Sequence, residues 1–382
     1  MNIYLDYNAT APIDSRVIDT MVDVYRNYIG NPNSQTHDYG NNARKIVEEA
    51  RGKVASLLGV HPDEIFFTSG STESINISIQ GLKDYAEATG KKHIITTAIE
   101  HKAVIETCRH MQSCGFTVDY IKPDQSGAVD AEKVLSLVRP DTLLVAVMHV
   151  NNETGVIQPV KEIGDRLADT GTMFLIDATQ SCGKLVEEIR NLNYTMLSFS
   201  AHKFGGPQGV GVLVHRKKKY KLPPVKQIMY GGDQEHGIRP GTIPVALVAG
   251  LGKACELAEA EYKQEEKKNK EIKQDVLRIL SESGLQYQIN GDQKRCISST
   301  INLCIDGITS EALMLATRQY LSISNGSACT SQSYDLSYVL TAMDLLPGRI
   351  EDSIRISWGK QSSKKDVHEG VAALTRIAKS LI

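Results

Sequence analysis

Apolar and polar positions along this chain follow two rhythms. Between residues 64 and 214, short runs dense in Ile, Val, Leu and Phe alternate with longer stretches whose apolar residues fall three and four apart. The runs at 64–68, 93–97, 117–121, 143–149, 173–176, 196–200 and 210–214 predict strands buried on both faces, because a half-solvated strand would carry polar residues at every second position. The stretches at 41–58, 72–84, 102–114, 131–138 and 163–169 predict helices. Ahead of them, 3–6 predicts a short strand and 14–28 a helix, with Asp14 as its cap and Val17, Ile18, Met21, Val22 and Tyr25 at helical spacing. This alternation predicts an α/β fold with a mostly parallel sheet covered by helices on both faces.

Past residue 214 the rhythm changes. The run 215–221 carries His215, Arg216, Lys217, Lys218, Lys219 and Lys221; it reads as a solvated loop after an edge strand, with phosphate contact as the alternative. The stretch 259–278 is dense in Lys and Glu four residues apart, the pattern of a long exposed helix. A strand over 299–304 and helices over 310–320 and 364–380 then predict a small α+β unit. The expected organisation is a large domain over 14–259 and a small domain made of 1–13 and 260–382. The sequence contains no internal repeat and no low-complexity tract.

In open parallel sheets, ligands gather beyond the carboxyl ends of the strands, and the segments found there are chemically rich. After 196–200 comes Ala201-His202-Lys203-Phe204-Gly205-Gly206. A lysine set among hydroxyls, a histidine and glycines suits a pocket, and lysine amines form Schiff bases with carbonyl compounds such as pyridoxal phosphate (PLP); a surface lysine is the competing reading. After 64–68 comes Ser69-Gly70-Ser71-Thr72, a glycine turn opening a helix, which aims backbone N–H groups at an anion. Asp177 follows Phe174-Leu175-Ile176, so its carboxylate emerges from a buried strand. Pairing with a protonated ring nitrogen would stabilise it there, and a turn or cap role is the alternative.

Composition narrows the class. With 43 Lys+Arg against 45 Asp+Glu, nothing in bulk charge calls for nucleic acid. No apolar run reaches the roughly 20 residues a bilayer requires, and residues 1–6 lack a signal segment. Seven cysteines, none in a Cys-x-x-Cys pair, point to free thiols in a reducing, cytoplasmic setting and away from a metal site. Cys182, Cys255 and Cys304 sit among apolar neighbours and read as core residues. Cys329, in Ser324-Asn325-Gly326-Ser327-Ala328-Cys329-Thr330-Ser331, reads as a reachable thiol, with an inert loop cysteine as the alternative. Arg355 lies on a period-two strand; it suits a carboxylate clamp, although a surface salt bridge is the better reading of that residue alone.

Together these residues make the chain resemble the cysteine desulfurases, NifS/IscS branch, of the fold-type I PLP enzymes (class-V aminotransferases). The resemblance runs through Leu5-Asp6, Ala9-Thr10, Gly30-Asn31-Pro32, Thr68-Ser69-Gly70, Glu100-His101, Asn151-Asn152-Glu153-Thr154-Gly155, Asp177-Ala178-Thr179-Gln180, 198–203, 205–211, Arg239, Gly241-Thr242 and Gly326-Ser327-Ala328-Cys329. It implies an aspartate aminotransferase-like fold and a PLP-dependent enzyme that converts L-cysteine to L-alanine. By the same resemblance, Lys203 holds the cofactor as a Schiff base and shuttles a proton, Asp177 faces the ring nitrogen, Gln180 the ring hydroxyl, and His101 stacks on the ring. Ser71, Thr72, Ser200 and His202 surround the phosphate, with Thr242 reaching in from the second subunit of a homodimer. Asn33, Asn152 and Arg355 orient the substrate carboxylate, Asn152 also touching the cofactor, and Cys329 accepts the sulfur as a persulfide.

The expected partner is a protein sulfur acceptor serving iron–sulfur cluster assembly, tRNA thiolation or DNA phosphorothioation, with no membrane and no direct nucleic-acid contact. Selenocysteine lyase, another PLP-dependent C–S lyase and a non-catalytic scaffold are the alternatives. The stretch 331–349, without a compact Arg-x-Gly-His-x-Cys signature, fits the branch whose cysteine lies on a mobile loop. Asn325, Asp233, Pro240 and Arg318-Gln319-Tyr320 depart from the family pattern.

Overall fold

A computed structural model of the chain describes residues 2–326 and 336–382. Its centre is a seven-stranded sheet ordered Ile65–Thr68, Gly211–His215, Met196–Ser200, Met173–Asp177, Thr142–Met148, His93–Thr97, Thr117–Ile121. Only Gly211–His215 runs against its neighbours; the remaining pairings are parallel. Six of the seven strands are buried along their whole length, and the exception, Thr117–Ile121, forms one edge. The continuous apolar runs therefore mean what they predicted. Side chains alternate between the faces: Phe67, Val145, Phe174, Ile176 and Leu197 pack under the helices Asp38–Leu58 and Val160–Leu167 on one side. Phe66, Ile94, Leu144, Leu175 and Leu213 pack under Ser71–Gln80 and Lys102–Ser113 on the other.

The opposite edge strand, Ile65–Thr68, is fully buried because its free backbone groups are paired by side chains. Glu235 accepts the Phe67 N–H at 2.7 Å, and Arg51 donates to the Ile65 carbonyl at 2.7 Å and to Glu235 at 2.7 and 3.0 Å. An open edge is a liability for aggregation, and this ion pair closes it. The basic run 215–221 thus does not follow an edge strand: Gly211–His215 lies inside the sheet, and His215 is completely buried.

Element ends follow local chemistry. Asp14 caps Ser15–Asn27 by accepting from the Arg16 N–H at 3.0 Å, an arrangement worth about 1 kcal/mol. Gly59, at φ 68°, closes Asp38–Leu58 in the left-handed conformation that glycine tolerates. The helix expected over 72–84 is two helices, Ser71–Gln80 and Lys83–Thr89. At the break, a Cβ on Gly81 would lie 2.4 Å from the Lys226 carbonyl oxygen, so a crossing segment interrupts it.

The helix expected over 259–278 runs much further, Val245–Glu282. Its first half (Val248, Leu251, Cys255, Ala258) belongs to the core of the large sheet. Its second half (Ile272, Val276, Ile279, Leu280) belongs to a separate core under a three-stranded antiparallel sheet, Ser353–Ser357, Thr300–Ile305 and Tyr287–Asn290. Lys364–Leu381 and the first strand, Ile3–Tyr4, which pairs in parallel with Leu321–Ser322, complete that second body. No helix among the described residues is long and apolar enough to cross a membrane.

Candidate active site

The carboxyl ends of the parallel strands converge on a cavity of about 310 Å³. Met173–Asp177 delivers Asp177, Met196–Ser200 delivers Ser200 and then His202 and Lys203, and the turn after Ile65–Thr68 delivers Ser71 and Thr72. His101 follows His93–Thr97, Asn152 follows Thr142–Met148, and Gln180 lies one turn beyond Asp177. Arg355 enters from the second body, and Asn8 and Ala9 from the amino-terminal segment.

Close backbone approach shapes one wall. A Cβ on Gly211 would sit 2.5 Å from the Gly70 Cα and 2.7 Å from the Phe199 carbonyl oxygen, so only glycine lets the turn at 70 lie on this strand. Gly70 itself has φ 158°, and no side chain caps the helix Ser71–Gln80 that begins there. The Ser71 N–H donates to Ser200 Oγ at 2.7 Å, which ties this amino terminus to the Lys203 strand.

The polar groups are individually fixed. Lys203 Nζ donates to the Asn8 and Ala9 carbonyls, both at 2.8 Å. Asp177 Oδ1 accepts from the Thr179 N–H at 2.9 Å and lies 3.4 Å from Ser71 Oγ, which is itself 3.0 Å from Ser198 Oγ. His101 caps its helix by accepting the Ala103 N–H at Nδ1, 3.1 Å away, so Nε2 is the nitrogen able to carry the ring proton. His202 lies 3.1 Å from Thr10 Oγ1 through Nδ1; burial first, and the Lys203 amine second, push its pKa down to about 4. Neutral at ordinary pH, it offers a hydrogen bond and no charge.

Arg355 is 2 % exposed, contrary to the surface salt bridge expected of it in isolation. Its Nη2 pairs with Asp6 at 2.6 Å, and Nη1 donates to the Asn152 carbonyl at 2.9 Å. Buried polar atoms on this wall, Arg355 Nε and Asn152 Oδ1, have no partner among the described residues. This donor and acceptor set suits a polar, anionic ligand: hydroxyls at a helix amino terminus for a phosphate, a carboxylate across from it for a ring nitrogen, and a guanidinium for a carboxylate.

Asn33 and Thr242 are exposed and do not line the cavity within the protomer. Cys329 lies outside the described residues, and Gly326, just before it, lines the cavity. Cys182, Cys255 and Cys304 are buried, as are their apolar surroundings. Residues that sequence reasoning left without a role also appear. Asp6 and Asn8 supply partners for Arg355 and Lys203. Glu100, completely buried, accepts from Thr97 Oγ1 at 2.7 Å and the Met148 N–H at 2.9 Å, and burial raises its pKa to about 8. Glu153 accepts from Ser337 Oγ, and burial raises its pKa as well. Asp6, Glu100 and Glu153 stand inside the motifs that carried the family resemblance, which was the available signal.

Comparison with known proteins gives a consistent picture. The family model described as "Aminotransferase class-V" matches residues 3–369. The chain is similar to the cysteine desulfurase of Rattus norvegicus, 40% identical over 365 residues that span 96% of this chain and 80% of that protein. It is equally similar to the cysteine desulfurase IscS of Haemophilus influenzae, 40% identical over 368 residues, 96% of this chain and 90% of that one. Among solved structures, a NifS-like protein superposes with a TM-score of 0.92 at 35% identity, covering 100% of both chains. SspA in complex with cysteine superposes with a TM-score of 0.81 at 33% identity, covering 93% of this chain and 98% of that one.

Proposed function

Because the chain belongs to the class-V aminotransferase family, and within it to the cysteine desulfurases, we propose how its residues divide the work of a PLP-dependent enzyme that takes sulfur from L-cysteine and leaves L-alanine. The observation that carries the assignment is the convergence of Lys203, Asp177, His101 and Arg355 on one cavity at the carboxyl ends of the parallel strands. PLP, when bound, supplies an electron sink for charge developing at the substrate α-carbon.

The protein's own groups do the rest. Lys203 would hold the cofactor and move the proton at the substrate α-carbon. Asp177 would pair with the ring nitrogen, Gln180 with the ring hydroxyl, and His101 would stack on the ring. Ser71, Thr72, Ser200 and neutral His202 would hold the phosphate, and Arg355 with Asn152 and Asn33 would orient the substrate carboxylate. The Cys329 thiolate attacks the substrate sulfur. An S–S bond forms as the C–S bond breaks, the electron pair leaves with carbon, and a proton completes alanine. The product on the enzyme is a persulfide, and no external oxidant is consumed.

This reading includes a homodimer in which Thr242 completes the partner's phosphate site, supported by the exposed position of Thr242 away from its own cavity. Exposed Ile18, Tyr25 and Ile29 near the amino terminus support such an interface. The division into a large domain over 14–259 and a small one over 1–13 and 260–382 is proposed on the split of the long helix between two cores. The sulfur passes to a protein acceptor in the cytoplasm, within cluster assembly, tRNA thiolation or DNA phosphorothioation.

The test is alanine and sulfide release from L-cysteine with a reductant. Cys329→Ala should keep the yellow cofactor band and lose release by at least about 100-fold, and Lys203→Ala should lose the band. Undiminished release by Cys329→Ala would remove Cys329 from the mechanism and favour a selenocysteine or C–S lyase.

A further inference from the structure

Lys203 borders two cavities. One is the site above; the other is a space of about 40 Å³ that also touches Lys184, Glu265, Asn269, Trp358 and Lys360. That volume holds about two or three water molecules. Two groups on its wall, Asn269 Oδ1 and Trp358 Nε1, are buried with no partner among the described residues, one an acceptor and one a donor. Such a space is suited to bound water.

Lys184 lines the smaller cavity and reaches the wall of the larger one through Gln180. It follows the turn after Asp177, and its Nζ donates to Gln180 Oε1 at 3.4 Å. The Gln180 amide Nε2 in turn donates to the Asn8 carbonyl at 3.0 Å, and that same carbonyl accepts from Lys203 Nζ at 2.8 Å. Both amines therefore join one hydrogen-bonded chain through Gln180 and Asn8. An amide whose oxygen is held by an ammonium must present its NH₂ side elsewhere, here to the Asn8 carbonyl, a residue of the cofactor cavity's wall. Around Lys184, the Lys203 and Arg355 charges oppose its ammonium, while Glu265 of the long helix and Cys182 on its own turn favour it. Burial and then Lys203 push its pKa down to about 8.

We propose that Lys184 is a positioning residue of this site: it fixes the face that Gln180 turns to the cofactor and sets a second positive charge behind the Lys203 nitrogen. The inference rests on the assignment of Lys203 and Gln180 to the cofactor made above. A second cation there disfavours a protonated Lys203–cofactor link and so keeps that nitrogen ready to take a proton near neutral pH.

The experiment titrates the visible absorbance of the PLP-loaded full chain against pH, for wild type, Lys184→Met, Lys184→Gln and Lys184→Arg. Met and Gln should raise the apparent pKa of the cofactor-bound Lys203 nitrogen by about half to one pH unit, and Arg should hold it near the wild-type value. The Gln variant keeps a polar side chain and carries the test should the Met variant fail to fold. A role in packing alone would lower the melting temperature of all three variants without moving the titration; equal midpoints in wild type, Met and Gln would overturn the inference. A wild-type protein with no lysine-dependent band would instead overturn the Lys203 assignment, and the inference with it.

Discussion

Glu100 has no ion-pair partner among the described residues, yet it sits completely buried, accepting from Thr97 and from the Met148 backbone. Burial holds its proton to about pH 8, whereas in the unfolded chain the carboxyl ionises in the ordinary range near 4.3. Between those values the native protein binds a proton that the unfolded chain has released, so stability falls as pH rises, with a slope of at most about 1.4 kcal/mol per pH unit. Glu100→Gln keeps the acceptor oxygen and removes the titration. Its melting temperature relative to wild type should therefore climb as buffers go from about pH 5 to about pH 8. A difference constant across that window would show that Glu100 is ionised in the native state. His202 has the opposite sense: its pKa is lowered in the fold, so its contribution is lost only as pH drops through its ordinary range toward about 4.

The proposed phosphate cradle is set by whole elements. The helix Ser71–Gln80 begins against Gly211–His215, the one antiparallel strand of the sheet, and the Gly211–Gly70 contact sets their spacing. Backbone lies on both sides, so an added methyl group has nowhere to go. Gly211→Ala should cost about 1–3 kcal/mol in denaturant unfolding and weaken PLP affinity, because the turn at 70 must lift away from Ser200. Unchanged PLP binding in a folded Gly211→Ala protein would separate the cradle from this contact. The neighbouring edge strand shows the same dependence on side chains from far along the chain: Arg51 and Glu235 complete its backbone pairing.

Across the whole molecule, the amino-terminal segment straps the two bodies together. Ile3–Tyr4 pairs with Leu321–Ser322 in the second body, Asn8 and Ala9 hold Lys203 of the first, and Asp6 pairs with Arg355. Arg355 is 2 % exposed, so removing Asp6 leaves a buried guanidinium short of its only carboxylate among the described residues. Asp6→Ala should lower unfolding free energy by about 3 kcal/mol. A loss below about 0.5 kcal/mol would place the pair among exposed ion pairs of little energetic weight.

Strand and helix placement around the seven-stranded sheet was legible from periodicity, since a sheet buried on both faces writes continuous apolar runs into the chain. So was the placement of Lys203, Asp177 and Ser71 at or just beyond the ends of such runs, whereas His101 entered only through the family resemblance. Periodicity misjudged what depends on distant partners. The length of the helix Val245–Glu282 was hidden by a change from apolar to charged composition where it passes from one core to the other. Arg355 read as a surface residue because its carboxylate lies 349 positions away. The strand before the basic run read as an edge because sequence order does not report which strand inserts beside it. The sequence by itself therefore determined the periods, the turn chemistry and the residue types available at each strand end. Tertiary structure alone decided which of them meet, because burial and ion pairing are properties of neighbours in space, and a linear pattern records only neighbours along the chain.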